Sequence, residues 1–325
     1  MELPSPFGAD VKVLVMSGSD PPPARRRADR RGVPLTGKAF LTLHGRLVIE
    51  YVLDLLRECG FTRVWVLAEE DKLALIPRHY RYTPITQSPH ANFAASLATA
   101  ERVLEPGADE PILVVFGDHP LQTPNALRVF LARAAEALEQ ADLFHALAST
   151  AAYREYATWF ERTSVHMREM SGRASGYTLV IPSRLHGLSV LGELYEVRKL
   201  ERFDSLLRLM FKFPGLLGRD APRALVDAAL VVLAKEMEKV GRGSSVVATP
   251  ARFLESWFSA RVPAGRLERC AARVLGAERG IRLIPVAHGG IAIDVDFAEE
   301  LATLEAHWEA VQQLSARQDA ELVQP

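Results

Sequence analysis

Apolar residues in the first half of the chain come in short unbroken runs: residues 11–17 (VKVLVMS), 62–68 (TRVWVLA), 112–116 (ILVVF) and 142–149 (DLFHALAS). Runs this short, with little alternation, suit strands buried on both faces, as in a parallel sheet. Between them the spacing changes. Leu47, Val48, Tyr51, Val52, Leu55 and Leu56 recur at helical intervals over 44–59, and Gly60 is a natural stop. Residues 92–104 and 123–140 also read as helices, the second with Thr123 as N-cap and Pro124 in its first turn. Strands alternating with helices predict an α/β fold with a doubly wound, mostly parallel sheet.

The pattern shifts after residue 160. Residues 163–170 and 177–181 read as two strands paired around a Ser171–Gly172 turn. From 188 onward the spacing is helical over 190–212, 221–240 and 249–259, and the stretch 225–233 is apolar nearly all round. Residues 161–279 are therefore expected to form a mainly helical inserted subdomain, with 1–160 and 280–325 as the α/β core. Strands return at 281–287 and 291–295. A last helix follows, striped by Phe297, Leu301, Leu304, Trp308 and Val311.

Composition narrows the function classes. The 325 residues are 48% apolar and 24% charged with a formal net charge of −1, which gives no electrostatic reason to expect nucleic acid as a partner. Cys59 and Cys270 are too few for a disulfide framework and are expected as buried, reduced thiols. No run is long enough for a transmembrane helix, and MELPSPFGAD does not read as a secretory signal, so a cytoplasmic protein is expected. A homo-oligomer is compatible with all of this.

Three separated stretches carry candidate chemistry. Gly117 closes the 112–116 strand and Asp118 stands at its carboxyl end, where open α/β sheets bind ligands. A turn aspartate bonded to its own backbone is the plainer reading. Near the N-terminus, Ser17, Gly18 and Ser19 end a strand ahead of a proline-rich loop carrying Arg25, Arg26 and Arg27, and Lys38 follows. Backbone N–H groups and arginine forks of this kind can meet phosphate, although an arginine run is also an ordinary solvated loop. Late in the chain come Asp294 and Asp296. Along an extended strand they share one face and can meet a hard cation such as Mg²⁺ when phosphates supply its other ligands. Equally, Asp296 and Glu299 spell a helix capping box.

Taken in order, VLVMSGS, GKAFLTLHGRLVIEYVLDLL, ILVVFGDHPLQTP and IAIDVDFAEEL resemble the motifs of the nucleotidyltransferase superfamily. That superfamily includes the molybdenum-cofactor guanylyl- and cytidylyltransferases and the sugar-phosphate nucleotidyltransferases. The resemblance implies a nucleotide-diphospho-sugar transferase-like fold and an Mg²⁺-dependent enzyme. Such an enzyme moves NMP from an NTP, CTP or GTP being favoured, to a phosphorylated small molecule. It implies Lys38 at the NTP phosphates, Asp118 as the first Mg²⁺ ligand and Asp296 as the second, with Asp294 in reserve. Ser17, Gly18, Ser19 and Gly117 fall in the nucleotide cradle, and Gln87, Asn92 and Ser96 where related enzymes meet base and ribose. Ser19 stands where the family has a second glycine, and the family's G-x-R-M segment is replaced by the arginine loop, making Arg25 to Arg27 the candidates for phosphate contact. Arg198–Lys199 is a candidate for the acceptor phosphate, or an exposed basic helical turn.

Two alternatives share the fold class. A glycosyltransferase consuming a nucleotide-sugar expects D-x-D at the end of a central strand, where this chain has Gly117-Asp118-His119-Pro120. A non-catalytic nucleotide-binding or regulatory protein would account for the altered glycine loop.

Overall fold

The computed structural model describes residues 3–4, 6–17, 37–89, 91, 93–160, 164–187 and 256–323, with scattered positions between 226 and 254. Gly18, Ser19, Arg25, Arg26, Arg27, Asn92 and the Arg198–Lys199 pair lie outside the described residues. So do the helices expected over 190–259, apart from those scattered positions and residues 256–259.

The chain builds one eight-stranded sheet. Its strands are β1 (Lys12–Met16), β4 (Val64–Ala68), β5 (Thr83–Thr86), β6 (Ile112–Phe116), β7 (Leu143–Ser149), β8 (Val165–His166), β9 (Ser171–Val180) and β10 (Ile281–Val286). A separate short hairpin pairs β2 (Thr42–Leu43) with β3 (Arg46–Leu47). Across the sheet the order is β10-β7-β9-β6-β1-β4-β5, with β8 paired to β9. Neighbours run parallel except around β9, which is antiparallel to β6, β7 and β8. The sequence expectation of a mostly parallel α/β sheet holds.

Alternation along each central strand sends side chains to two apolar layers. Val13, Val15, Val66, Leu113 and Val115 pack with helices α1 (Val48–Glu58) and α4 (Pro124–Glu136). Leu14, Met16, Leu67, Ile112 and Val114 pack on the other face with Ala100 and Leu104 of α3 (Phe93–Leu104). Lys12 is the polar exception on β1. Its ammonium donates to the Leu104 carbonyl at 2.8 Å and to Glu110 Oε2 at 2.8 Å, so the buried charge is matched.

Three expectations are corrected. Ser171–Gly172 is no turn; both residues open β9, and Gly172 is where the Ala148 carbonyl of β7 approaches, 2.7 Å from where a β-carbon would sit. Strands β8 and β9 thus belong to the central sheet although they fall inside the stretch expected as an insertion. Residues 291–295 form no strand: a 3₁₀ turn at Gly290–Ala292 leads into extended backbone at Ile293. The run is apolar because it is buried in the core, and burial alone does not distinguish strand from turn. Cys270 is only half-buried, whereas Cys59 is buried and its thiol is pushed up to about 11 by burial.

Beside the short helices α2 (Glu70–Leu73) and α5 (Thr150–Arg154), two helices from the last quarter of the chain lock the sheet. Helix α6 (Ala264–Leu275) lies by β10, where Glu268 Oε1 accepts from the Leu283 N–H at 2.9 Å. Helix α7 (Ala298–Glu321) buries Leu304, Trp308 and Val311, as its stripe predicts. It also reaches α4. Thr123 stands at the N-cap of α4 but its hydroxyl has no partner among the described residues; Asp319 Oδ1 of α7 accepts instead from the Asn125 and Ala126 N–H groups, each at 3.1 Å. Among the described residues no helix is long and apolar enough to cross a membrane.

His288 joins β10 to α7. Fully buried, it donates from Nε2 to the Ser315 carbonyl at 3.0 Å, while the adjacent Gly289 N–H donates to Gln318 Oε1 at 2.7 Å. Burial depresses the imidazole pKa to about 4 against the weaker, opposing bond to Ser315. Among the described residues Nδ1 has no acceptor, so a second proton would be a stranded charge. The unfolded chain takes up that proton near pH 6.5 and the folded chain only near 4, so stability is full above pH 6.5 and falls as pH drops through this window. The loss is ~3 kcal/mol by pH 4. Denaturant titrations at successive pH values check this: His288→Gln is expected to remove about one proton's worth of the slope.

Candidate active site

The carboxyl edge of the sheet gathers charged side chains from four remote segments. Lys38 arrives first. Gly37 adopts φ 57° ahead of the 3₁₀ turn Lys38–Phe40, a conformation that favours glycine, and so turns the chain back over the ends of β1 and β6. The approach is close: a β-carbon on Gly117 would lie 3.3 Å from Ala39 Cβ and 3.4 Å from Ser17 Oγ. Gly117 is therefore a spacer as much as a strand terminator.

Asp118 follows Gly117. Its Oδ1 lies 3.0 Å from His119 Nδ1, and its carbonyl accepts from the Val295 N–H at 3.3 Å. That second bond ties the end of β6 to the segment bearing Asp294 and Asp296. Asp294 pairs with Arg173 of β9 (Oδ1 to Nη2, 3.2 Å), and Asp296 pairs with Lys38 through Oδ1 and Nζ. Val295 between them is buried. The two carboxylates thus engage different cations from one extended stretch.

Capping does not occupy the Asp296 carboxylate. The residue that caps α7 is Glu300, whose Oε2 accepts from the Asp296 N–H at 2.9 Å and the Phe297 N–H at 3.2 Å. The capping box expected between Asp296 and Glu299 is displaced by one position.

Charge coupling follows the geometry. Burial disfavours the Lys38 ammonium, but Asp296, then Asp118 and Asp294, outweigh it and hold its pKa above the usual lysine value. Burial likewise disfavours the Asp118 carboxylate. The His119 hydrogen bond and the nearby Lys38 charge overcome that and hold it below its ordinary pKa, against Asp296. Lys38 and Asp118 are thus each pushed toward the charged form.

The donors suit a hard cation. Asp118 and Asp296 offer carboxylate oxygen with no thiolate among them, and the Lys38 ammonium is already a cation seated on Asp296. Among the described residues no group of three or more His, Cys, Asp or Glu side chains converges as a complete protein cage. Mg²⁺ commonly takes one or two carboxylates and fills its octahedron with water and phosphate.

The remaining candidates fall along the same edge. Ser17 follows β1, its N–H bonded to the Leu67 carbonyl at 3.2 Å and its buried hydroxyl without a partner among the described residues. Gln87 and Ser96 are buried together, the Ser96 hydroxyl donating to Gln87 Oε1 at 2.6 Å. Gln87 also lines a cleft of about 550 Å³ with Glu69, Glu70, Asp71 and Thr86. Arg173 and His119 were not singled out by sequence reasoning. A lone arginine next to an apparent glycine turn carries no periodic signal, and only the course of β9 brings it to the edge.

Residues 27–187 match the family model described as the MobA-like NTP transferase domain. Over that stretch, just short of half the chain, the sequence is similar to this domain. Lys38, Asp118 and Arg173 fall within the matched residues; β1, Asp294 and Asp296 fall outside them but are joined to the domain by the contacts above. Among solved structures, a hypothetical transferase from Thermus thermophilus is similar over 90% of this chain and 99% of its own, with 22% identity and a TM-score of 0.52. That likeness shows the α/β fold. A CMP:2-keto-3-deoxy-manno-octonic acid synthetase complexed with CTP matches over 95% of this chain and 98% of its own, with 13% identity and a TM-score of 0.44. A cytidylyltransferase from Leptospira borgpetersenii matches over 66% of this chain and 71% of its own, with 15% identity and a TM-score of 0.34. No curated protein matches the sequence. The match supports nucleotidyltransferase activity in general type.

Proposed function

We propose that the chain is an Mg²⁺-dependent nucleotidyltransferase that moves NMP from an NTP, CTP or GTP being favoured, to a phosphorylated small-molecule acceptor. One observation carries this reading: Lys38 is held on Asp296, within the electrostatic reach of Asp118, at the carboxyl edge of the sheet.

An acceptor oxygen attacks the α-phosphorus in line. The new O–P bond forms as the bond to the β-phosphate oxygen breaks, and pyrophosphate carries away the electron pair. Asp118 and Asp296 would hold Mg²⁺, which when bound neutralises phosphate charge and orients the transferred group. Lys38 supplies a fixed positive charge for the leaving pyrophosphate, and His119 holds the Asp118 carboxylate in orientation. Ser17 and Gly117 bound the floor on which the triphosphate lies. The acidic cleft beside Gln87 repels phosphate and suits the ribose hydroxyls and base amino groups, so the nucleoside end points toward β4 and β5.

The test is thermal stabilisation by each of the four NTPs with Mg²⁺, followed by pyrophosphate release against pools of phosphorylated acceptors. Stabilisation by one NTP with pyrophosphate release is expected. Stabilisation without release from any pool supports a non-catalytic binder, and release of free NDP from a nucleotide-sugar supports a glycosyltransferase.

A further inference from the structure

Arg173 has no role in the transfer described above, yet it is the best-placed cation on the other flank of the site. Strand β9 runs antiparallel to β6 and β7, so its first residues lie at the carboxyl ends of both neighbours, with Arg173 paired to Ala148. The sheet order places β9 on one side of β6 and places β1, β4 and β5 on the other. Asp118 therefore stands between Arg173 and the nucleotide half.

The guanidinium is built in rather than draped on the surface. Its side chain is 16% exposed, pairs with Asp294 at 3.2 Å, and lies 5.5 Å from the ring centre of the buried Tyr153. The tight packing of Gly172 on Ala148 fixes the strand from which it projects. A strand-mounted arginine, oriented by a carboxylate and an aromatic face, is preorganised to grip a planar or tetrahedral oxyanion through its fork.

We propose that Arg173, positioned by Asp294, receives the phosphate of the acceptor, which is a phosphate monoester. In-line displacement puts the incoming and leaving oxygens on opposite sides of the α-phosphorus. With pyrophosphate leaving toward Lys38, the nucleophile enters from the β9 side, where Arg173 stands. The attacking atom is an oxygen of the monoester dianion, so no proton has to be removed. Asp294 is then a positioning residue for Arg173 and is withdrawn from the metal. This inference rests on the nucleotidyl-transfer reading.

The experiment uses the full chain with Mg²⁺ and the α,β-methylene analogue of whichever NTP stabilises it, and titrates inorganic phosphate by calorimetry as the probe of the acceptor subsite. Wild type is expected to bind phosphate. Arg173→Gln should weaken that binding by about tenfold or more, because a charged donor pair is lost. Arg173→Lys, which keeps the charge for Asp294 and serves if the glutamine variant does not fold, should also weaken phosphate binding by losing the fork. Asp294→Asn should weaken it several-fold, while all three variants keep affinity for the nucleotide analogue within about twofold. Phosphate binding unchanged in Arg173→Gln or Arg173→Lys, or nucleotide affinity falling as far as phosphate affinity, would overturn the assignment. A wild-type chain that no NTP stabilises removes the nucleotidyl-transfer reading first, and that result is distinct from either of these.

Discussion

Lys38→Met is expected to lower pyrophosphate release by about 10²–10³-fold while making the nucleotide-free chain bind Mn²⁺ more tightly, by about tenfold. The two effects have one origin. In the free protein the Lys38 ammonium sits on Asp296, with Asp118 and Asp294 adding to the field that holds it there. A divalent ion approaching Asp296 has to compete with that ammonium. On the proposed reading, a triphosphate would give Lys38 a new anionic partner and leave the Asp296 carboxylate available to hold the metal. Methionine keeps an unbranched apolar stem as far as the ε-carbon but removes the ammonium, and with it both the competitor and the charge proposed for the transition state. Metal affinity rises in the absence of nucleotide, and turnover collapses in its presence. Mn²⁺ titration followed by electron paramagnetic resonance reads the first effect, and a coupled pyrophosphate assay reads the second. Unchanged or weaker Mn²⁺ binding in Lys38→Met would mean that the ammonium does not hold the cation's place.

Asp118→Asn tests the opposite charge. The amide matches the carboxylate in size and retains an acceptor for His119, so the hydrogen bond at 3.0 Å has a counterpart and the fold is expected to persist. The anionic oxygen is lost. The expected result is a fall of about 10²–10³-fold in pyrophosphate release, because on the proposed reading this carboxylate would hold the metal that neutralises the reacting phosphates. The second expectation is that Mg²⁺ no longer increases the thermal stabilisation produced by NTP, whereas metal-free NTP stabilises variant and wild type alike. Wild-type turnover in this variant would remove Asp118 from the reaction.

Much of this site can be read from residue types at strand ends. The run 112–116 is apolar on both faces because β6 is buried between α3 on one side and α1 and α4 on the other, so Asp118 is legible as a strand-end carboxylate. Lys38 and Asp296 are separated by 258 positions, and no local pattern links them; only the order of motifs does. Spacing fails where burial imitates periodicity. Residues 291–295 alternate like a strand but turn at Gly290–Ala292, since the chain must bend to carry Asp294 to Arg173 and Asp296 to Lys38. Gly172 misleads in the other direction: it reads as a turn signal, but its missing side chain lets β7 approach β9 closely. Arg173 stays hidden for that reason. The N-cap of α4 is a third case, because Asp319, 194 residues away from Asn125, takes the place that Thr123 was expected to fill.

The bond from the Val295 N–H to the Asp118 carbonyl sets an order on the birth of the protein. A ribosome completes the domain match at residue 187 well before it adds β10 and the 294–296 segment. Until then the emerging polypeptide lacks the strand that covers β7 at the sheet edge and the carboxylate that seats Lys38. A product cut short between residues 187 and 294 would keep the whole matched stretch yet lack both Asp294 and Asp296, leaving Arg173 and Lys38 without the carboxylates that seat them.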